Sequence, residues 1–345
     1  MTFRKKALVL SGGGGRGAYQ AGAIAGLFAC GWLDARGPDY IAGTSIGAVH
    51  AAALASGKQP ADFAEFWTQG ITTERVQHGE GIVRRAALSL LTLGLLSPRP
   101  DDDSDLTDEQ RERIERYEVE ESFETPWWVS VASHLRDRLL PDAHVFTSTW
   151  DEALSPLALD FERINSAAAP ELLIVATDLQ RGSPQVFRNN RNGAAHAGLR
   201  PEHIRASASI QILYQPTEID GRYYWDGAVV ANTPLDQLLD AAGDDDLDIV
   251  TVLMSPWCED GCSEIAPPCN LYSTLAPALD WMMLASFRVA LKRLTDRYRP
   301  GPRIIAPGPE LWREHMNVDR LLIYDPEVSS FLFEQGYSDA VAAMR

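Results

Sequence analysis

Short apolar runs bounded by glycines alternate along this chain with stretches whose small or apolar residues recur every three or four positions. Residues 6–11 (KALVLS), 39–45 (DYIAGTS), 171–179 (ELLIVATDL) and 248–256 (DIVTVLMSP) are of the first kind. They have the pattern of parallel strands buried on both faces. Residues 17–31 (GAYQAGAIAGLFACG) are of the second kind, with Ala18, Gly22, Ala25, Gly26 and Ala29 forming a small-residue face suited to lying close against a sheet. Helices are likewise predicted over 46–57, closed by Gly57, over 201–209 and over 232–243. Residues 222–228 (RYYWDGA) read as a strand running into a turn. This alternation predicts an α/β protein: three layers, α/β/α, around a mainly parallel central sheet.

The pattern breaks between about 79 and 150. Ala86–Leu96 is apolar, and residues 101–124 then carry twelve acids against Arg111, Arg113 and Arg116. Such a block reads as a solvated helix or arm. The 345 residues are therefore expected to form a single domain, 1–345, with a peripheral insertion or lid at about 79–150. Near the C-terminus Trp281, Leu284, Phe287, Leu291, Leu294 and Tyr298 make one apolar stripe, with Arg288, Lys292 and Arg299 off it. Two readings stay open for this helix: a core-packed element with a solvated basic face, or a peripheral contact with a membrane surface.

Composition narrows the classes. Hydrophobic residues at 45% and charged residues at 23% exclude a disordered or collagen-like chain. A net charge of −17 repels phosphate backbones, so nucleic acid is not expected as a ligand. Cys30, Cys258, Cys262 and Cys269 are too few for a disulfide scaffold, and the last three lack the spacing and histidines of a structural zinc site. No metal or cofactor is expected. The apolar run at Ala7–Leu10 is too short for an export signal, and Ala86–Leu96 is too short to span a bilayer. A cytoplasmic protein is expected, with peripheral membrane contact as the variant. The pattern does not speak to oligomeric state.

The chemistry concentrates in three segments. Gly12–Gly15, Arg16 and Gly17 (GGGGRG) lie between a strand and a helix, where N–H groups converge on an anion. As a dinucleotide fingerprint, Gly12-x-Gly14-x-x-Gly17 would need Asp34 or Asp39 for the ribose. As a plain turn it would only allow close packing; as an oxyanion hole it would serve acyl transfer. Gly43-Thr44-Ser45-Ile46-Gly47 favours the last, because GxSxG between a strand and a helix is a nucleophile elbow. Parallel neighbouring strands would bring both loops to one edge of the sheet. The serine needs a base. Of His50, His78, His134, His144, His196, His203 and His315, only His50 lies in a segment with site character, on a helix leading away from the elbow. Asp226, at a strand end before Gly227, is the better candidate.

Together SGGGGRGAYQAG, GTSIGA and YYWDGAVVANTPL, in that order and spacing, resemble the patatin-like phospholipases, and ATDLQRGSPQVFRN is similar to that family's strand and following hairpin. The resemblance covers about 6–57 and 171–256, 138 of 345 residues. It implies a Ser–Asp dyad that cleaves acyl esters of lipids: Ser45 as nucleophile, Asp226 as base, and Gly13, Gly14, Gly15 and Arg16 as oxyanion donors. Ser11 departs from the family at a position where some members have Asp, and Gln211 at one where proline is common. The rivals are an α/β-hydrolase with a Ser45–Asp226–His315 triad, a nucleotide-binding regulatory protein using the glycine loop, and a catalytically dead scaffold.

Overall fold

The computed structural model describes residues 4–71, 77–78, 147–148, 154–190, 198–210, 214–257, 271–295, 301–316 and 324–345. The apolar run after the N-terminus forms β1 (Lys5–Leu10), followed by α1 (Gly17–Ala29), β2 (Tyr40–Thr44), α2 (Ile46–Ala55) and α3 (Pro60–Glu65). Two short strands, β3 (Gln77–His78) and β4 (Thr147–Ser148), pair antiparallel. The insertion expected between them lies outside the described residues. The chain continues through α4 (Phe161–Ile164), β5 (Glu171–Asp178), β6 (Ser183–Arg188), α5 (Pro201–Ala208), β7 (Thr217–Ile219) and β8 (Arg222–Asp226). It closes with α6 (Ala228–Ala231), α7 (Leu235–Ala242), β9 (Leu247–Val252), α8 (Leu271–Thr295), β10 (Arg303–Ile305), α9 (Pro309–His315) and α10 (Pro326–Ala343).

These elements make a mixed, mostly parallel sheet between two helical layers, as the alternation predicts. β10, β9, β1, β2 and β5 run parallel in that order, and β6, β7 and β8 are antiparallel additions. Successive strand residues feed opposite cores, which is why the runs are apolar throughout. Leu8, Leu10, Ile41, Ile174 and Val252 join the core under α1, α2 and α10. Ala7, Val9, Ala42, Leu173 and Ile249 join the one under α7 and α8. The strand β5 is paired along both edges. One edge takes β6; the other takes β2 up to Val175 and then β8 from Ala176 onward.

Two expectations need correction. The small-residue face of α1 lies against a helix, α10, and not against the sheet. Gly22 and Gly336 sit where the two backbones meet: a Cβ on Gly22 would run into the Phe333 carbonyl, and one on Gly336 into the Tyr19 carbonyl. The stripe on α8 is buried at Leu284, Phe287 and Leu294, but Trp281 is more than half exposed. Each three-residue step falls about 60° short of a full turn, so two such steps carry Trp281 about 120° away from Phe287. Tyr298 and Arg299 lie outside the described residues.

The contact between α1 and α10 gives the first prediction. Gly22→Ala and Gly336→Ala should each destabilise the fold by about 1–3 kcal/mol through overpacking. A lowered urea midpoint with an unchanged slope checks this; an unchanged midpoint refutes the close approach.

Candidate active site

The carboxyl ends of β1 and β2 carry the two loops singled out in the sequence, and β5 sets their relation to β8. Thr44 pairs with Val175, and Asp226 pairs with the next residue, Ala176. Strands β2 and β8 thus approach along the same edge of β5 from opposite directions and end on adjacent rungs. Ser45 leaves the first and Asp226 ends the second.

At Ser45 the chain turns sharply, with φ 57° and ψ −127°, a region that a residue with a Cβ rarely occupies. The turn is held by its neighbours. The Ser45 N–H donates to Ser207 Oγ at 2.9 Å, and that hydroxyl donates to the Val175 carbonyl at 2.6 Å. Thr44 Oγ1 donates to the Ala231 carbonyl at 2.8 Å. Gly43 and Gly47 are needed because a Cβ on either would meet backbone, at Gly47 and at Leu10 respectively. The strained serine stands at the N-cap of α2 without a side-chain cap bond, and its hydroxyl bonds Asp226 instead.

Asp226 is held as firmly. Its N–H donates to the Ser209 carbonyl at 2.8 Å, and its own carbonyl accepts from Thr177 Oγ1 at 2.8 Å. Its carboxylate accepts from the Ala228 N–H at 2.8 Å, and from the Ser45 hydroxyl. Burial pushes this carboxyl up to about 7, and the bonds from Ser45 and Ala228 pull in the opposite direction. Gly227 opens α6 directly behind it.

The glycine loop closes the third side. The Gly12 N–H donates to the Asn232 carbonyl, and the Arg16 N–H to the Gly13 carbonyl at 3.1 Å. Among the described residues the N–H groups of Gly13, Gly14 and Gly15 donate to no backbone carbonyl. Arg16 differs from these glycines: its amide is committed to the turn and its side chain is fully buried. Gly17 starts α1 against Trp67 and Ile46.

The other candidates fall elsewhere. His315 sits near the surface against Phe331 and Glu314. His203 accepts from the Arg200 N–H and stacks on Phe187, and burial lowers it to about 4. His50 is fully buried. Asp39 exchanges bonds with Lys6 at the amino end of β1, the opposite edge of the sheet from the loop, and Asp34 pairs with Arg36. A dinucleotide contact would need its acid at the carboxyl edge. Cys30 is an exposed free thiol; the other cysteines, Gln211, His134, His144 and His196 lie outside the described residues. Among the described residues no group of His, Cys, Asp and Glu gathers as a metal set.

Sequence reading missed the residues that hold the site. Ser207 and Ser209 looked like ordinary helix residues, with the Ser-x-Ser end of α5 as the available signal. Tyr324 gave none; its phenol is buried and pushed well above its ordinary range by burial and by the charges of Tyr214 and Asp226.

The sequence model of the patatin-like phospholipases matches residues 8–239. The chain belongs to that family. A comparison with curated proteins found no match. Among solved structures, the chain is similar to VipD from Legionella pneumophila, with 15% identity over 99% of this chain and 67% of VipD and a TM-score of 0.48. It is similar also to the type III effector ExoU, with 17% identity over 99% of this chain and 53% of that one and a TM-score of 0.36. For ExoU in its complex with SpcU from Pseudomonas aeruginosa, the values are 18%, 99%, 51% and 0.39. The chain spans about half the length of ExoU.

The raised Asp226 carboxyl makes a stability prediction. A folded value of about 7 lies above the unfolded value of 3.8, so its contribution is most favourable at low pH and is lost as pH rises through 7. Asp226→Asn should therefore be more stable than the native chain at pH values above about 8, by about 1–4 kcal/mol, with the gain shrinking as pH falls below about 6. Urea midpoints across pH check this; a pH-independent difference refutes the raised carboxyl.

Proposed function

We propose that the chain is a serine lipid acyl hydrolase working through a Ser45–Asp226 dyad. The observation that carries this reading is the bond from the Ser45 hydroxyl to a buried carboxylate at two facing strand ends, beside a loop with uncommitted N–H groups. Ser45 Oγ attacks the ester carbonyl carbon while Asp226 takes its proton. The tetrahedral oxyanion is met by the N–H groups of Gly13, Gly14 and Gly15, each worth about 2.7–4 kcal/mol of barrier. Asp226 returns the proton to the departing alcohol as the C–O bond breaks, leaving acyl-Ser45. Water then repeats the sequence, giving its proton to Asp226 and releasing the acid and free Ser45.

The exposed face of α8 supports peripheral contact with lipid. Trp281, Met282 and Val289 are more than half exposed, as is Val229 on α6, which packs beside α8 and follows Asp226 by three residues. Arg288 and Lys292 are exposed on the same helix, giving a local cationic patch on an acidic chain, and Arg293 beside them pairs with Asp236 at 3.0 Å. Among the described residues no helix is long and apolar enough to cross a membrane.

Covalent labelling, ester turnover across pH and vesicle binding test these readings. A fluorophosphonate should label Ser45, and Ser45→Ala should neither label nor turn over a soluble p-nitrophenyl ester. Turnover should be half-maximal near the Asp226 value of about 7 and fall about tenfold per pH unit below it, because the base must be ionised. His315→Gln should retain that activity and profile; loss of both would establish a histidine base. For the surface, the double variant Arg288→Gln, Lys292→Gln should bind phosphatidylserine-containing vesicles about tenfold more weakly at low salt. Unchanged binding would remove α8 from the contact.

A further inference from the structure

Behind the glycine loop runs a buried polar chain that the dyad chemistry does not use. Trp67 Nε1–H donates to His50 Nε2 at 2.9 Å, His50 Nδ1 lies 2.8 Å from Gln20 Oε1, and Gln20 Nε2 donates to the Ser11 carbonyl at 3.1 Å. Gln20, His50 and Trp67 are fully buried. An indole N–H can only donate, so His50 Nε2 must accept and its single proton must sit on Nδ1. That N–H then donates to Gln20 Oε1, which turns the amide nitrogen of Gln20 toward Ser11. The fixed donor at one end thus orients every bond to the other. Burial lowers His50 to about 3, so the ring stays neutral and this arrangement persists at neutral pH.

The chain ends where the loop begins. Ser11 precedes Gly12–Gly15, and the loop's root is tied by the Ser11 N–H to the Val252 carbonyl and by the Gly12 N–H to the Asn232 carbonyl. Four successive glycines carry little conformational preference of their own. Trp67 also touches the loop's far end: a Cβ on Gly17 would meet the Trp67 ring. The opposite face of that contact network is Tyr324, stacked on Trp67 at 6.1 Å and lying outside the family-matched span. His50 and Gln20 stand out chemically, since α2 and α1 are otherwise built from apolar and small residues there. Packing alone would be met by an apolar side chain.

We propose that Trp67, His50 and Gln20 form a positioning relay that fixes the Ser11 carbonyl and so keeps the Gly13, Gly14 and Gly15 N–H groups aimed at the oxyanion. The relay rests on the reading of those glycines as oxyanion donors. His50 is on this account a positioning residue and not the base.

The test uses the full chain with His50→Leu, Gln20→Leu, His50→Asn and Trp67→Phe. Steady-state kinetics on a soluble p-nitrophenyl ester and the amide NMR resonances of Gly13, Gly14 and Gly15 are the readouts. His50→Leu and Gln20→Leu should lower kcat about tenfold to hundredfold while KM moves less than about twofold, because donor aim matters most in the transition state. The glycine resonances should shift with them. His50→Asn, which can still donate to Gln20, should recover most of the lost kcat; Trp67→Phe removes the Nε1–H together with the five-membered ring while keeping one aromatic ring, and should lower kcat about threefold to tenfold. The relay is overturned if the glycine resonances and kcat are unchanged in the folded Leu variants, or if His50→Asn falls as far as His50→Leu. Should the Leu variants fail to fold, unchanged kcat and resonances in Trp67→Phe overturn it equally. A native chain that neither hydrolyses esters nor takes up a fluorophosphonate would instead count against the proposed function, and the glycine resonances would still report on the relay.

Discussion

Two strands that end on consecutive rungs of β5 set up everything at the candidate site. Backbone pairing along one edge brings β2 to Val175 and β8 to Ala176, and nothing about either strand end can shift without breaking that ladder. Ser45 and Asp226, the partners of the proposed dyad, lie 181 positions apart and are thereby brought together by main-chain hydrogen bonds, which are short, directional and shared over many residues. Side chains are then added to hold the ends. Ser207 bridges the Ser45 N–H to the Val175 carbonyl, and Thr177 and Ser209 clamp the backbone of Asp226.

The same geometry sets the electrostatics. Asp226 is inside the protein, where a carboxylate is costly, and it accepts from the Ser45 hydroxyl and the Ala228 N–H. Those bonds offset part of the burial but not all of it, so the group is poised near 7 and not near its ordinary acidic value. A carboxylate close to neutrality is a competent proton acceptor for a hydroxyl in a way that a solvated one is not. In the proposed mechanism, the burial of Asp226 and its role as base therefore have one physical origin.

Around this centre the helices do different work. Helix α2, apolar except for His50, is buried on every side, which lets it carry the strained turn at Ser45 on a rigid support. The glycine faces of α1 and α10 let those helices approach closely, bringing the C-terminal segment, with Tyr324, against Trp67. Residues beyond the family-matched span thus pack onto the elements that bear the site. On the other side of the sheet α8 buries one stripe and leaves a mixed apolar and cationic face outward.

Local pattern was enough for the strands β1, β2, β5 and β9 and for the helices α1, α2, α5 and α7, and it singled out Gly12–Gly17, Ser45 and Asp226 as candidates that the fold brings together. Runs apolar throughout, glycines at forced turns and a serine between two glycines are short-range signals, because burial on two faces and backbone crowding act within a few residues. What lay beyond the sequence was every relation set by contact at a distance. The partner of α1's small face was a helix and not the sheet, since a glycine face records only that something comes close. Asp39 already precedes its strand in the sequence, and the assembled parallel sheet puts it beside Lys6, at the edge opposite the glycine loop. His50 looked like a residue on a departing helix, and Ser207 like a helix residue among others; only packing of α1, α2, α5 and Trp67 gave them partners. A side chain's type states which bonds it is able to make, and the tertiary structure alone decides which atoms are there to receive them.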